Sequence, residues 1–174
     1  FNTSITGYQE ILTDPSYASQ IVTFTFPHIG NVGVNSEDSE TQDPAAQGVI
    51  VKWNPTEPSN WRSLENLSDW LKRYNLIGMG GVDTRRLTRA IRLLGAPHVA
   101  LAHNSDGVFN TSKLIQKAKN FSGLEGLDLA KQVTCQQTYK WDEMRWAWPE
   151  GFVRQNQAQH KVVAIDYGAK RNIL

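Results

Sequence analysis

A mixed α/β fold is predicted by three patterns in the sequence. Gln20-Ile21-Val22-Thr23-Phe24-Thr25-Phe26 alternates apolar and hydroxyl-bearing side chains and stops at Pro27, the two-residue period of a half-buried strand. Leu67, Trp70, Leu71 and Tyr74 recur at i, i+3, i+4 and i+7, which gathers four apolar groups on one helical face. Lys161-Val162-Val163-Ala164-Ile165-Asp166 is an apolar run closed by an acid and followed by a turn at Gly168, as when a buried parallel strand enters a βα turn.

The remaining elements follow in chain order. Asn2 to Tyr17 crowds hydroxyls, amides, an Asp14-Pro15 turn and two tyrosines into a stretch with little helical or strand period. Such polar density predicts a structured recognition loop, its donors and acceptors satisfied by one another or by a ligand or partner. Asn35 to Gln47 is polar, acidic and small, a surface loop ahead of the apolar run Gly48-Val49-Ile50-Val51. Ser63 is the expected cap of the helix that follows, and Leu76-Ile77-Gly78-Met79 leads as a strand into Gly80-Gly81. Asp83 or Thr84 then caps a second helix, with Leu87, Ala90, Ile91 and Leu94 on one face and a stop at Gly95. Val99-Ala100-Leu101 is expected to be a strand. A third helix is expected from Ser112 to Asn120 with Leu114, Ile115 and Ala118 inward, and a short fourth through Leu127 to Lys131. Gln136 to His160 has no sustained period and is expected to be irregular chain, leaving Trp141, Trp146 and Trp148 without an assignment. A lone strand at 161–166 cannot bury both faces, so it is expected to open a second domain, and both chain ends are expected to be cut.

Composition limits the function classes. The 174 residues, 40% hydrophobic and 20% charged, suffice for a globular core. The net charge of +1 offers no bulk attraction toward nucleic acid or anionic lipid, so neither partner is expected. No run approaches the roughly 18–20 apolar residues of a membrane span, and one cysteine, Cys135, cannot form an internal disulfide; a cytoplasmic protein is expected. No Cys/His set has metal-ligand spacing.

Five groups invite a chemical role. Cys135 lacks the flanking glycines of a nucleophile turn and is expected to be an inert thiol. His28, in Pro27-His28-Ile29-Gly30, could serve as a base, but a histidine satisfied by local hydrogen bonds is the expectation. Glu37, Asp38, Glu40 and Asp43 lack calcium-loop spacing and are expected to form a solvated loop. Gly78-Met79-Gly80-Gly81-Val82-Asp83 could present amides to phosphate, yet Asp83 puts negative charge where the phosphate would sit, so a tight structural turn is expected. Arg85, Arg86, Arg89 and Arg92 flank one helix and are read as structural or interface residues rather than a nucleic-acid surface.

Four motifs, in order along the chain, resemble one family. Phe1-Asn2-Thr3-Ser4-Ile5-Thr6-Gly7-Tyr8-Gln9-Glu10-Ile11-Leu12-Thr13-Asp14-Pro15-Ser16-Tyr17, Pro27 to Gly33, and Val82-Asp83-Thr84-Arg85-Arg86-Leu87-Thr88-Arg89 resemble the N-terminal domain of carbamoyl phosphate synthetase small subunits. Val163 to Leu174 resembles the start of that subunit's class I glutamine amidotransferase domain. The resemblance implies a swivelling β/β/α domain over residues 1–153, without its first strand region, a linker at 154–160, and the truncated start of the amidotransferase domain at 161–174. It implies a subunit that hydrolyses glutamine and passes ammonia to a large synthetase subunit, its heterodimer partner. There bicarbonate and ATP, with Mg or Mn, yield carbamoyl phosphate for pyrimidine and arginine synthesis. The nucleophilic cysteine and its histidine lie beyond residue 174 in the family plan, so this stretch alone is expected to be inactive and to need no cofactor. Ser16, the serine of Asp-Pro-Ser-Tyr, is implied to help bind glutamine, with a turn hydroxyl as its alternative. A scaffold serving only subunit association is the rival to the enzyme-subunit reading.

Overall fold

The structure is a computed structural model describing residues 1–174. It is mixed α/β around a three-stranded parallel sheet: β1 (Ile21–Thr23), β2 (Gly48–Ile50) and β3 (Ile77–Met79), in that spatial order. Val22 stands opposite Val49, and Val49 opposite Gly78. Parallel neighbours require crossover connections. The first is the long loop after β1; the second carries α2 (Leu67–Arg73), which packs back on β3.

The opening segment is more regular than its sequence suggests. Gly7, at φ +79, starts α1 (Tyr8–Thr13), and a 3-10 turn follows at Pro15–Tyr17. Tyr8 and Leu12, one helical turn apart, are buried with Phe24, Val49, Leu67 and Trp70 in the core. Burying a side chain such as Leu12, Phe24 or Leu67 contributes about 1.5–3 kcal/mol. Polar groups in this core are satisfied: the Gln9 amide donates to the Asn35 carbonyl at 2.6 Å and accepts from its N–H at 3.0 Å, and Thr13 donates to the Gln9 carbonyl. Left unpaired, each would destabilise by about 1–3 kcal/mol.

The helix signals around the sheet hold with adjustments. Asn66, not Ser63, caps α2 by accepting from the Asp69 N–H at 2.8 Å; the Ser63 hydroxyl instead bonds the Glu65 carbonyl. Asp83 caps α3 (Thr84–Leu94) through the Arg86 N–H, and Gly95, at φ +86, ends it. Asp83 thus takes up an N–H at the helix start next to the glycine turn. The periodic face of α3 is only partly covered: Leu87, Ala90 and Ile91 are half-buried, whereas Leu94 is 86% exposed. In α4 (Thr111–Lys119) Leu114 and Ala118 turn inward, but Ile115 does not. The short α5 spans Leu129–Val133.

Two expected strands do not form. Residues 99–101 have no ladder, although Leu101 comes close enough to Gly48 that a Cβ there would collide with it. Residues 161–166 also carry no strand; Val162, Val163 and Ile165 are 88%, 91% and 78% exposed. An apolar run states that burial is favourable but cannot supply the neighbouring strand its N–H and C=O groups need. The core therefore belongs to residues 8–71, and beyond Thr84 only Gly151 is buried. No helix is long and apolar enough to cross a membrane.

Candidate functional site

Asp14-Pro15-Ser16-Tyr17 forms a turn locked from within. The Asp14 carboxylate accepts from the Ser16 N–H at 2.8 Å, and Pro15 occupies the first position of the 3-10 turn, where its lack of an N–H costs nothing. Asn2 donates to the Tyr17 hydroxyl at 3.0 Å. Asp14 and Pro15 are buried, while Ser16 is exposed at the surface of the turn.

The Asp166–Asn172 turn docks on this corner. Asp166 organises it, accepting from the N–H groups of Gly168 and Ala169 at 2.7 and 2.6 Å and from the Tyr139 hydroxyl at 2.7 Å. Those donors hold the Asp166 carboxyl below the usual carboxylate range, the Ala169 N–H foremost. The Tyr139–Asp166 bond pushes the Tyr139 phenol up to about 12, aided by modest desolvation. Gly168 is wedged between Val133 and Pro15: its φ is +105, and a Cβ would stand 2.5 Å from the Val133 Cγ2. The Lys170 ammonium reaches the Asp14 carboxylate at 2.7 Å. Burial alone would raise the Asp14 carboxyl; Lys170 and the Ser16 N–H outweigh it and hold the group below its ordinary value.

Arg171 and Asn172 anchor the turn to the loop after β1. Arg171 pairs with Glu143 at 2.8 Å, donates to the Ser36 and Glu37 carbonyls, and stacks over the Phe152 ring at 3.7 Å. Asn172 donates to the Glu40 carboxylate at 2.9 Å. Beside these contacts runs a cleft of about 1030 Å³, bordered by Pro15, Glu40, Glu65, Cys135, Glu143 and Arg171. Its lining mixes carboxylates with arginines that pair with one another, Glu65 with Arg73 and Glu143 with Arg171.

Of the acids expected in a solvated loop, Asp43 is exposed as expected, whereas Glu37, Asp38 and Glu40 are engaged. Arg62 bonds Glu37 and Asp38 at 2.9 and 2.7 Å, and Glu37 also accepts from the Trp146 indole at 3.1 Å. Trp146 belongs to a small hairpin bridged at Glu143–Arg154 and Ala147–Gly151, and Trp148 meets Trp61 edge-on at 5.4 Å. Trp146 and Trp148 thus tie the irregular 141–154 region to Glu37 and Trp61. His28 is exposed with its ring edge-on to Phe26, in place of the local hydrogen bonds expected of it. Cys135 is exposed, with its sulfur 3.8 Å from the Asp166 carbonyl. Arg85, Arg86, Arg89 and Arg92 are exposed and make no ion pair within the chain. No cluster of three or more His, Cys, Asp or Glu side chains is arranged to hold a metal ion. Sequence reasoning did not single out Lys170, Arg171, Tyr139, Asp166 or Glu143 individually; the one local signal was the Lys170-Arg171 pair after Gly168, complementary to the acidic loop at 37–43.

The amino-acid sequence is similar to those of known proteins. The profile of the carbamoyl-phosphate synthase small chain, CPSase domain, matches residues 1–101. Over all 174 residues the chain is 70% identical to the carbamoyl phosphate synthase small chain of Ruegeria pomeroyi. It is 53% and 56% identical to those of Caulobacter vibrioides and Rhizobium meliloti, again over its full length. It spans about 45% of the Ruegeria and Rhizobium proteins and 46% of the Caulobacter one. On this similarity the chain belongs to the carbamoyl phosphate synthase small chain family.

Proposed function

We propose that this chain works as part of a glutamine-hydrolysing subunit, with Ser16 forming one wall of the glutamine site. The carrying observation is the exposed Ser16 on a turn whose carboxylate, Asp14, is gripped by Lys170 from the Asp166–Asn172 turn. A hydroxyl suits the role because it can donate to the carboxylate of an amino acid or accept from its ammonium. Asp14 sets the direction of that hydroxyl by fixing the Ser16 backbone. In this reading residues 1–153 form a swivelling β/β/α domain, 154–160 a linker, and 161–174 the opening of the amidotransferase domain, in the cytoplasm. The parallel sheet at 21–79 supports the first assignment, and the apolar run at 161–166 the last.

The ammonia released would pass to a large synthetase subunit, where bicarbonate, ATP and Mg or Mn belong. Nucleophile and base would come from outside these residues. One observation favours an added association role: the unpaired arginines of α3 beside exposed Leu93 and Leu94 offer a surface to another subunit. The test is reconstitution. The full-length subunit assembled with a large subunit should make carbamoyl phosphate from glutamine, whereas residues 1–174 alone should release no ammonia from it; ammonia release by the isolated residues would refute the division of labour.

A further inference from the structure

We infer that Arg171 is a positioning residue for the glutamine site, strapping the Glu143–Arg154 hairpin and the Glu37 loop to the turn that grips Asp14. The inference rests on the reading of Ser16 given above and adds the residue that sets its surroundings.

Arg171 is a convergence point. Its Nε and Nη2 both approach the Glu143 Oε2, at 2.9 and 2.8 Å. Its Nη1 faces the Ser36 and Glu37 carbonyls at 3.4 and 3.3 Å, and its plane covers Phe152. Its own N–H donates to the Glu40 carbonyl at 3.0 Å. Two segments distant in sequence, 36–37 and 143–152, thus meet on one planar cation. A guanidinium can serve both because its donors lie in a rigid fork and its face stacks on a ring; an ammonium cannot.

The hairpin is fastened at its far side too. Trp146 donates to Glu37, and Arg62 pairs with the same carboxylate and lies 5.7 Å from the Trp146 ring. Gly151, the one buried residue of this region, sits against Glu37, where a Cβ would fall 2.5 Å from Oε1. Arg171 and Lys170 are adjacent, so a strap that holds one sets the approach of the other to Asp14. Misplacing a group by even 1 Å can cost on the order of 100-fold in rate, so such a strap acts on glutamine use without touching glutamine.

The experiment uses the full-length small subunit assembled with its large subunit. Arg171→Ala is expected to raise the KM for glutamine about tenfold while ammonia-dependent synthesis stays within about twofold. Arg171→Lys recovers only part of the loss, because charge returns without the fork. Glu143→Gln, a milder change, gives the same KM-selective defect and serves if Arg171→Ala does not assemble. Amide hydrogen exchange over residues 143–154 rises in Arg171→Ala, locating the loosening in the hairpin. Faster exchange there with an unchanged glutamine KM makes the strap purely structural and overturns the inference, as does an equal loss of ammonia-dependent synthesis. Ser16→Ala run in parallel separates the two claims: a normal KM in that variant beside a raised one in Arg171→Ala removes the Ser16 role and leaves the strap standing.

Discussion

Lys170 and Asp14, far apart in sequence, close to 2.7 Å and join the Asp166–Asn172 turn to the turn that carries Ser16. In this pair an acid keeps its charge because a cation and an N–H compensate its burial. Lys170 is correspondingly held above its ordinary value, chiefly by the bond to Asp14.

This pairing sets a pH dependence. The folded-state value of Asp14 is depressed, so its stabilising contribution is present above the unfolded carboxyl range, about 3.9, and is lost as pH falls through the depressed value. Lys170 acts at the other end: its contribution is complete below about 10.5 and is lost as pH rises through the raised value. In urea titrations of the full-length subunit, Asp14→Asn should flatten both limbs relative to the parent. Identical pH profiles for parent and variant would count against the pair.

The core sets a larger effect. Phe24 and Leu67 are fully buried between α1, the sheet and α2. Phe24→Ala should cost about 3–5 kcal/mol and Leu67→Ala about 2–5 kcal/mol, read as a lower urea midpoint at unchanged slope. By contrast Leu94→Ala, at an 86% exposed position, should change stability by less than about 0.5 kcal/mol.

Gly33 is a backbone test. Its carbonyl accepts the Tyr8 hydroxyl at 2.6 Å, its φ is +77, and a Cβ would lie 2.6 Å from the Ser63 Cβ. Gly33→Ala therefore combines left-handed strain with a collision and should destabilise by more than about 1 kcal/mol. A variant with Ser63→Gly added should recover part of the loss in thermal melts, namely the part due to the collision.

Much of the centre was legible in the sequence because its signals are local. The period at Leu67 to Tyr74 and the caps at Asp83 and Gly95 report on backbone nearby; the alternation through Gln20 to Phe26 located β1 but not its burial, since Val22, Thr23 and Phe24 are all buried rather than alternately so. Helix α1 escaped because six residues are too few to display a period, and its buried Gln9 and Thr13 disguise the inward face. The run at 161–166 misled in the other sense: its composition suits a buried strand, yet no strand lies beside it to complete the ladder. Least legible were the ties between distant segments, Arg62 to Glu37, Arg171 to Glu143 and Lys170 to Asp14, since pairing of charges across the fold leaves no periodic trace. The Asp14-Pro15-Ser16-Tyr17 motif, singled out by resemblance, is one end of the Lys170–Asp14 tie.

The most direct measurement is steady-state kinetics of Ser16→Ala in the full-length small subunit paired with a large subunit, with glutamine and then ammonia as nitrogen donor. Losing one hydrogen bond to a charged substrate group, worth about 1.5–3 kcal/mol, predicts a drop of roughly 10- to 100-fold in kcat/KM for glutamine, with ammonia-dependent synthesis retained. Unchanged glutamine kinetics, or an equal loss with both donors, would contradict the placing of Ser16 at the glutamine site.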